Sequence, residues 1–220
     1  EAALTISDLV PGDAASYNCM VDGIENSIPA QLFVNRLTAI SAVSGMADLC
    51  LNEGIAMLVT ASGDLLTYAW YKDGAMLLDD AEITGSATAN MGISPVNTAH
   101  SGSYVCHVSG VCGNAVSDPQ IVTVSVPAAI TVQPSDITLC EGQNANLTIT
   151  ATGTNLSHQW LKNGVNLSDD ARITGSKSMV LNIANITGAD AGAYSCTVSG
   201  NCNTVYSTVA QLSVNPIVTI

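Results

Sequence analysis

The amino-acid sequence predicts an all-β chain of tandem β-sandwiches stacked end to end. Three observations carry that expectation. Residues 50–112 recur at 140–202 with a single offset of 90 positions, which aligns Cys50 with Cys140, Trp70 with Trp160, Tyr104 with Tyr194, Cys106 with Cys196 and Cys112 with Cys202. A period of that size means stacked modules. Apolar and polar residues alternate with a period of two: Ala145, Leu147, Ile149 and Ala151 against Asn146, Thr148 and Thr150, with Ile55, Met57, Val59 and Ala61 in the same phase. Each such strand has one buried and one wet face. Turn signals bound these runs, as Asp73-Gly74 and Asn163-Gly164 do after the two tryptophan segments.

The elements follow in chain order. Residues 1–37 read as the closing strands of a module, because Leu4, Ile6, Tyr17 and Cys19 echo Leu181, Ile183, Tyr194 and Cys196. Three strands without an opposing sheet leave Leu4, Ile6 and Leu9 in water, so the chain is expected to be one window on a longer polypeptide. Residues 38–126 and 127–215 are the two complete modules. Residues 81–86 (Ala-Glu-Ile-Thr-Gly-Ser) return at 171–176 as Ala-Arg-Ile-Thr-Gly-Ser, each copy preceded by two aspartates, Asp79-Asp80 and Asp169-Asp170. Residues 216–220 read as the first strand of a following module. The boundaries carry proline at Pro127 and Pro216 and no Gly/Ser-rich spacer, so restricted motion and a stiff rod are expected.

Within each complete module Trp70 and Trp160, in strands that run into turns, are the expected core pins together with Tyr104 and Tyr194. The run Asp190-Ala-Gly-Ala-Tyr194-Ser-Cys196 resembles the tyrosine corner of immunoglobulin-like domains, and His100-Ser-Gly-Ser-Tyr104-Val-Cys106 varies it by placing His at the corner Asp position. On these residues both complete modules and the opening fragment (strands E–G) resemble the immunoglobulin-like fold, nearest its intermediate set. The Lys-poor, Ala/Thr/Ser/Asn-rich sequence and the Leu-Cys-Glu-Gly stretch at 139–142 resemble repeats of large secreted bacterial surface adhesins. That resemblance implies an extracellular location, at a bacterial cell surface or in a secreted fibre.

Composition sets limits on partners. With 5 Lys and Arg against 18 Asp and Glu the formal net charge is −13, and Arg36, Lys72, Lys162, Arg172 and Lys177 are scattered. Nucleic acid and anionic membranes are disfavoured, since both need clustered cations. No apolar run approaches the ~20 residues that span a bilayer; the longest candidate, 121–132, is broken by Thr123, Ser125 and Pro127. The nine aromatic residues are expected mostly at core positions, which leaves no stacking platform for sugars.

The cysteines depart from the immunoglobulin pattern. That family joins strand B to strand F, yet the strand B positions facing Cys106 and Cys196 are Val59 and Ile149, so both cysteines read as buried thiols packed as small hydrophobes. Cys50, Cys112, Cys140 and Cys202 remain for oxidation. Two pairings stand open. Cys50 with Cys112 and Cys140 with Cys202 would bridge within modules, but Cys140 and Cys202 should lie at opposite ends of a sandwich, roughly 13–20 Å apart at ~3.3 Å per residue, beyond the ~7 Å limit. Cys50 with Cys202 would instead staple successive modules, Cys112 then bonding a cysteine upstream of Glu1 and Cys140 one downstream of Ile220.

Catalysis finds no support: His100, His107 and His158 stand apart from any nucleophile-elbow motif. No Cys-x-x-Cys or His-Cys cluster suggests zinc. Each aspartate pair offers fewer than the 6–8 oxygens that calcium takes, and reads as a solvated turn. No cofactor is expected. Asn146, Asn155, Asn166 and Asn185 stand in Asn-x-Ser/Thr sequons, meaningful as glycan sites in an animal protein and as chance in a bacterial one. The expected function is a non-enzymatic stalk or fibre segment for surface adhesion. Its expected partners are neighbouring modules of the same or an identical chain, with a surface glycan or protein as ligand. The alternatives are a subunit of a polymeric filament, spacer or carbohydrate-binding modules of a secreted polysaccharide hydrolase, and a receptor ectodomain.

Overall fold

The computed structural model describes residues 3–23, 25–45 and 48–217. The chain is all-β and consists of tandem immunoglobulin-like sandwiches. Its contacts divide it into two compact units, Glu1–Ala47 with Gly54–Val122, and Asp48–Glu53 with Thr123–Ile220.

In the first unit one sheet has the order Ile83–Thr84, Asn90–Ile93, Ile55–Ser62, Ala39–Ser44. Ile55, Met57 and Val59 are buried while Ala56, Leu58 and Thr60 are exposed, which is the period-two pattern of a strand packed on one face. The facing sheet is centred on Gly102–Gly110, paired antiparallel with Thr67–Lys72 so that Cys106 lies opposite Trp70. Trp70 is fully buried and its indole N–H donates to the Thr88 carbonyl at 2.9 Å, so the ring fills the core without an orphaned donor. The glycine of the Ile-Thr-Gly-Ser turn is obligatory: Gly85 sits at φ 73°, and a Cβ there would collide with the Asn90 carbonyl.

The opening residues of this unit form only hairpins. Ala15–Tyr17 pairs with Ala30–Leu32, and Met20–Val21 with Glu25–Asn26. The strand expected around Leu4 and Ile6 is not formed. In the complete modules its counterpart pairs with the strand Ile55–Ser62 or Ala145–Thr148; among the described residues nothing stands in that place for residues 3–10, and an unpaired strand leaves its backbone groups without partners.

The second unit repeats the plan. Ala145–Thr148, Val180–Ile183 and Ile173–Thr174 form one sheet. The other runs Ile137–Cys140, Ala210–Asn215, Gly192–Ser199, Ser157–Lys162, Val165–Asn166, with Cys196 opposite Trp160. Trp160 donates to the Ser178 carbonyl at 2.9 Å. Ala145, Leu147, Ile149, Leu181, Ile183, Ile186 and Leu212 pack around Trp160, Tyr194 and Cys196. Asp48–Cys50 belongs to this unit because it runs parallel to 123–125, with Cys50 opposite Ser125. Pro216 and Ile217 are not in a strand, and residues 218–220 of the expected following strand lie outside the described residues.

Of the aromatic residues, the two tryptophans with Tyr104 and Tyr194 are fully buried, but Phe33 (80% exposed) and Tyr206 (74%) are not. Tyr17, Tyr68 and Tyr71 are half-buried, so two of the nine aromatics stand in solvent, Tyr206 on a strand's outward face and Phe33 outside any strand.

Candidate junction site and tyrosine corners

The second unit contains a disulfide between Cys50 and Cys202, with Cα atoms 5.7 Å apart and a sequence separation of 152. It joins residues from two successive copies of the 90-residue repeat. Several bonds hold its surroundings. The Leu51 N–H donates to the Ser125 carbonyl at 2.9 Å, the Glu53 carboxylate accepts from the Cys50 N–H at 2.7 Å, and the Asn201 amide donates to the Ser125 hydroxyl at 3.0 Å. Ser125 and Val124 are buried. Cys112 and Cys140 are free, so the pairs Cys50–Cys112 and Cys140–Cys202 are not formed. Cys140 is exposed on a strand parallel to Ala210–Asn215, opposite Asn215, while Cys112 stands beside Leu37.

The strand F thiols are buried. Burial pushes Cys106 and Cys196 up to about 11, away from the reactive thiolate range. Each backbone N–H donates instead to a serine hydroxyl, Ser117 at 2.9 Å and Ser207 at 2.8 Å. Cys19, the third of the series, is exposed on the opening hairpin.

The aspartate pairs shape turns. Asp79 accepts from the N–H groups of Gly85 (3.1 Å) and Ser86 (2.7 Å), and Asp80 from those of Glu82 (2.8 Å) and Ile83 (2.7 Å). Asp169 and Asp170 make the matching bonds to Ser176 (2.8 Å), Arg172 (2.7 Å) and Ile173 (2.6 Å). Hydrogen bonds hold all four carboxyls below the usual range, from the Ser86 and Ser176 side chains first and then backbone for Asp79 and Asp169, and from the backbone of Ile83 and Ile173 first for Asp80 and Asp170. Their oxygens are thus engaged within their own turns. Among the described residues no group of three or more His, Cys, Asp and Glu is placed to hold a metal.

The tyrosine corner appears three times. Tyr17, Tyr104 and Tyr194 hydroxyls donate to the carbonyls of Asp13 (2.8 Å), His100 (2.7 Å) and Asp190 (2.7 Å). Burial pushes Tyr104 and Tyr194 up to about 12. At the second-unit corner the Asp190 carboxylate accepts from the Thr187 N–H at 2.8 Å and from Arg172 through both guanidinium nitrogens, at 3.0 and 3.2 Å. In the first unit His100 Nδ1 accepts from the Asn97 N–H at 3.0 Å, and its Nε2 lies 3.3 Å from Glu82 Oε2. Glu82 and Arg172 are one repeat apart, as are His100 and Asp190, so a carboxylate beside an imidazole in one module stands where a guanidinium beside a carboxylate stands in the next.

His107 packs on Tyr71 with ring centroids 4.4 Å apart. His158 is held below its usual value by burial. The three histidines stand in three different settings. All four sequon asparagines are exposed. The residues that sequence reasoning passed over are Glu53 and Gln143, which tie the cysteine turns (Gln143 Oε1 accepts from the Cys140 N–H at 2.7 Å). The signal was an acceptor three positions after each cysteine, the spacing of a capping box.

With this geometry in view, residues 127–200 match the family model of the immunoglobulin domain. The repeat has the immunoglobulin-like fold. Among curated proteins, the chain is 31% identical over 134 residues to human "Cell adhesion molecule DSCAM", covering 60% of this chain and 7% of that protein. It is 28% identical over 209 residues to mouse Hemicentin-1, covering 88% and 4%, and 26% identical over 222 residues to the mouse Peroxidasin homolog, covering 96% and 15%. The chain therefore spans a small part of each relative. Among solved structures it resembles a three-immunoglobulin-domain fragment of titin (TM-score 0.74, 20% identity, 94% of this chain and 76% of that one). It also resembles the N-terminal eight immunoglobulin domains of DSCAM (TM-score 0.71, 23% identity, 93% and 28%). These two likenesses speak to fold.

Proposed function

We propose that this chain is a non-enzymatic segment of a large extracellular adhesion-type protein, in which immunoglobulin-like modules carry tension between distant ends. The observation that carries this reading is the Cys50–Cys202 bond. It ties one repeat to the next and locks the 152-residue separation between its ends against extension. Supporting it, the relatives include a cell adhesion molecule, and the committed turn aspartates and buried thiols leave little free chemistry on the sandwiches. The Lys-poor composition and the stretch at 139–142 support a bacterial cell surface as the setting. The named relatives are human and mouse, and what they share with this chain is the multi-domain immunoglobulin plan.

Single-molecule pulling on the chain ends, with and without reductant, tests the reading. Reduction should release about 500 Å of additional contour length, at roughly 3.3–3.6 Å per extended residue. Equal extension in both conditions would contradict a bond that carries tension.

A further inference from the structure

The corner of the first complete module is closed by an imidazole, a group that can take up a second ring proton. His100 ends the short 3₁₀ turn Thr98–His100, and Asn97 caps it. The cap is reciprocal. Asn97 Oδ1 accepts from the Ala99 N–H at 2.9 Å, and His100 Nδ1 accepts from the Asn97 N–H at 3.0 Å. This is a capping box with His where Glu or Gln usually stands. A ring nitrogen that accepts carries no proton, so the ring here is neutral and its proton sits on Nε2. Nε2 faces Glu82 Oε2 at 3.3 Å, and the same oxygen accepts from the Asn97 side-chain amide at 3.3 Å. The His100 side chain is 12% exposed, so little water reaches the ring to replace a lost partner.

Among the described residues, the titratable groups around this ring are Glu82 and Asp80, in the segment that leads into Ile83–Thr84, and Tyr104 on the strand Gly102–Gly110. The Tyr104 hydroxyl donates to the His100 carbonyl and leaves the ring alone. A second ring proton would act differently at the two nitrogens. At Nε2 the donor to Glu82 remains, now within an ion pair. At Nδ1 the new N–H would point at the Asn97 N–H, two donors 3.0 Å apart. Glu82 therefore keeps a charged ring in place at one end while the cap breaks at the other. In the second module Asp190 fills the same place, and its carboxylate accepts from the Thr187 N–H. A carboxylate stays an acceptor down to about pH 4.

We propose that the His100 corner is a pH-sensitive latch: a proton taken from solvent onto Nδ1 releases the Asn97 N–H and opens the turn Thr98–His100 while the sandwich stays folded, and the matching latch at Asp190 stays shut. The opening is local because the bonds that hold the core do not pass through the ring. The Trp70 indole N–H donates to the Thr88 carbonyl, and the Cys106 N–H to the Ser117 hydroxyl. The latch rests on neither the Cys50–Cys202 bond nor the tension reading, so its failure leaves both standing.

The test is amide exchange of the whole chain, read residue by residue by NMR while the His100 ring is followed through its own nitrogen resonances, from about pH 8 to about pH 5. Expressed as a protection factor, exchange at the Asn97 N–H should quicken about tenfold, the scale of one lost hydrogen bond, with the same midpoint as the ring. The Thr187 N–H, and the Cys106 N–H in the core, should keep their protection over that range. His100→Gln retains an acceptor at this position of the turn but takes up no proton, and should hold Asn97 protected throughout. Constant protection at Asn97, a fall that survives His100→Gln, or a parallel fall at Thr187 or Cys106 would each overturn the proposal. The ring nitrogens give a check that needs no variant: above the midpoint they should report the proton on Nε2, and a proton on Nδ1 would overturn the proposal as well.

Discussion

The corners of the two complete modules place the same backbone in the same shape with different side-chain acceptors. Tyr104 and Tyr194 donate to the residue four positions earlier at 2.7 Å in both, and a side-chain acceptor three residues after the turn's first N–H receives it in both. The acceptor is an imidazole in one and a carboxylate in the other. What the difference teaches is that the fold asks for an acceptor at this point and leaves its charge open, provided the partner one strand away changes with it. Glu82 accompanies His100, and Arg172 accompanies Asp190.

A second difference lies at the cysteine beyond the F–G turn. Cys202 is bonded and Cys112 is free. Breaking the bonded one should have the largest effect. Cys202→Ser should cost the second unit about 3 kcal/mol, within the 2–5 kcal/mol typical of a lost native disulfide, and Cys112→Ser should cost the first unit almost nothing. Urea unfolding followed through Trp160 in a Trp70→Phe background, and through Trp70 in a Trp160→Phe background, reads the two units separately.

Removing the corner acceptors should distinguish them next. Asp190→Ala leaves the Thr187 N–H and the partly exposed Arg172 guanidinium unmatched, and should cost about 2 kcal/mol, most of it from the lost Thr187 bonds. His100→Ala should cost about 1 kcal/mol, the scale of a lost cap. The comparison sharpens in a transplant: Arg172→Glu and Asp190→His each destabilise the second unit, and the double variant should recover about 1 kcal/mol relative to the sum. Strict additivity would mean that the charges at the two corners are unrelated.

The smallest effect is one of pH. Burial alone would raise the Asp190 carboxyl, but the Arg172 guanidinium and the Thr187 N–H and hydroxyl outweigh it and hold the group below its usual range. The unfolded chain then binds the proton more readily. The stability this carboxylate contributes is present above about pH 4, the usual carboxylate range, and is lost as pH falls through its folded value. The urea midpoint of the second unit should therefore drop between about pH 5 and pH 2, and Asp190→Asn should flatten part of that drop.

Much of this was legible in the residues. The 90-residue offset, the alternation in 55–61 and 145–151, and the Asp-x-x-x-Tyr-x-Cys run are local patterns, and local patterns fix strands, faces and the tyrosine corner. The absent partner of Cys106 was readable because strand phase alone puts Val59 opposite it. The choice between the cysteine pairings depended on the longitudinal level of Asp48–Cys50 against residues more than 70 positions away, which no local pattern encodes. The roles of Glu82 and Arg172 were hidden for the same reason, since each meets its corner partner 18 residues later across a turn. Residues 3–10 misled because their sequence is that of a strand, whereas a strand forms only beside a partner.

Peptide mapping of the non-reduced chain, with free thiols alkylated first, tests the central claim most directly. The account predicts a Cys50–Cys202 cross-linked peptide with Cys112 and Cys140 alkylated. A Cys50–Cys112 or Cys140–Cys202 peptide would contradict it.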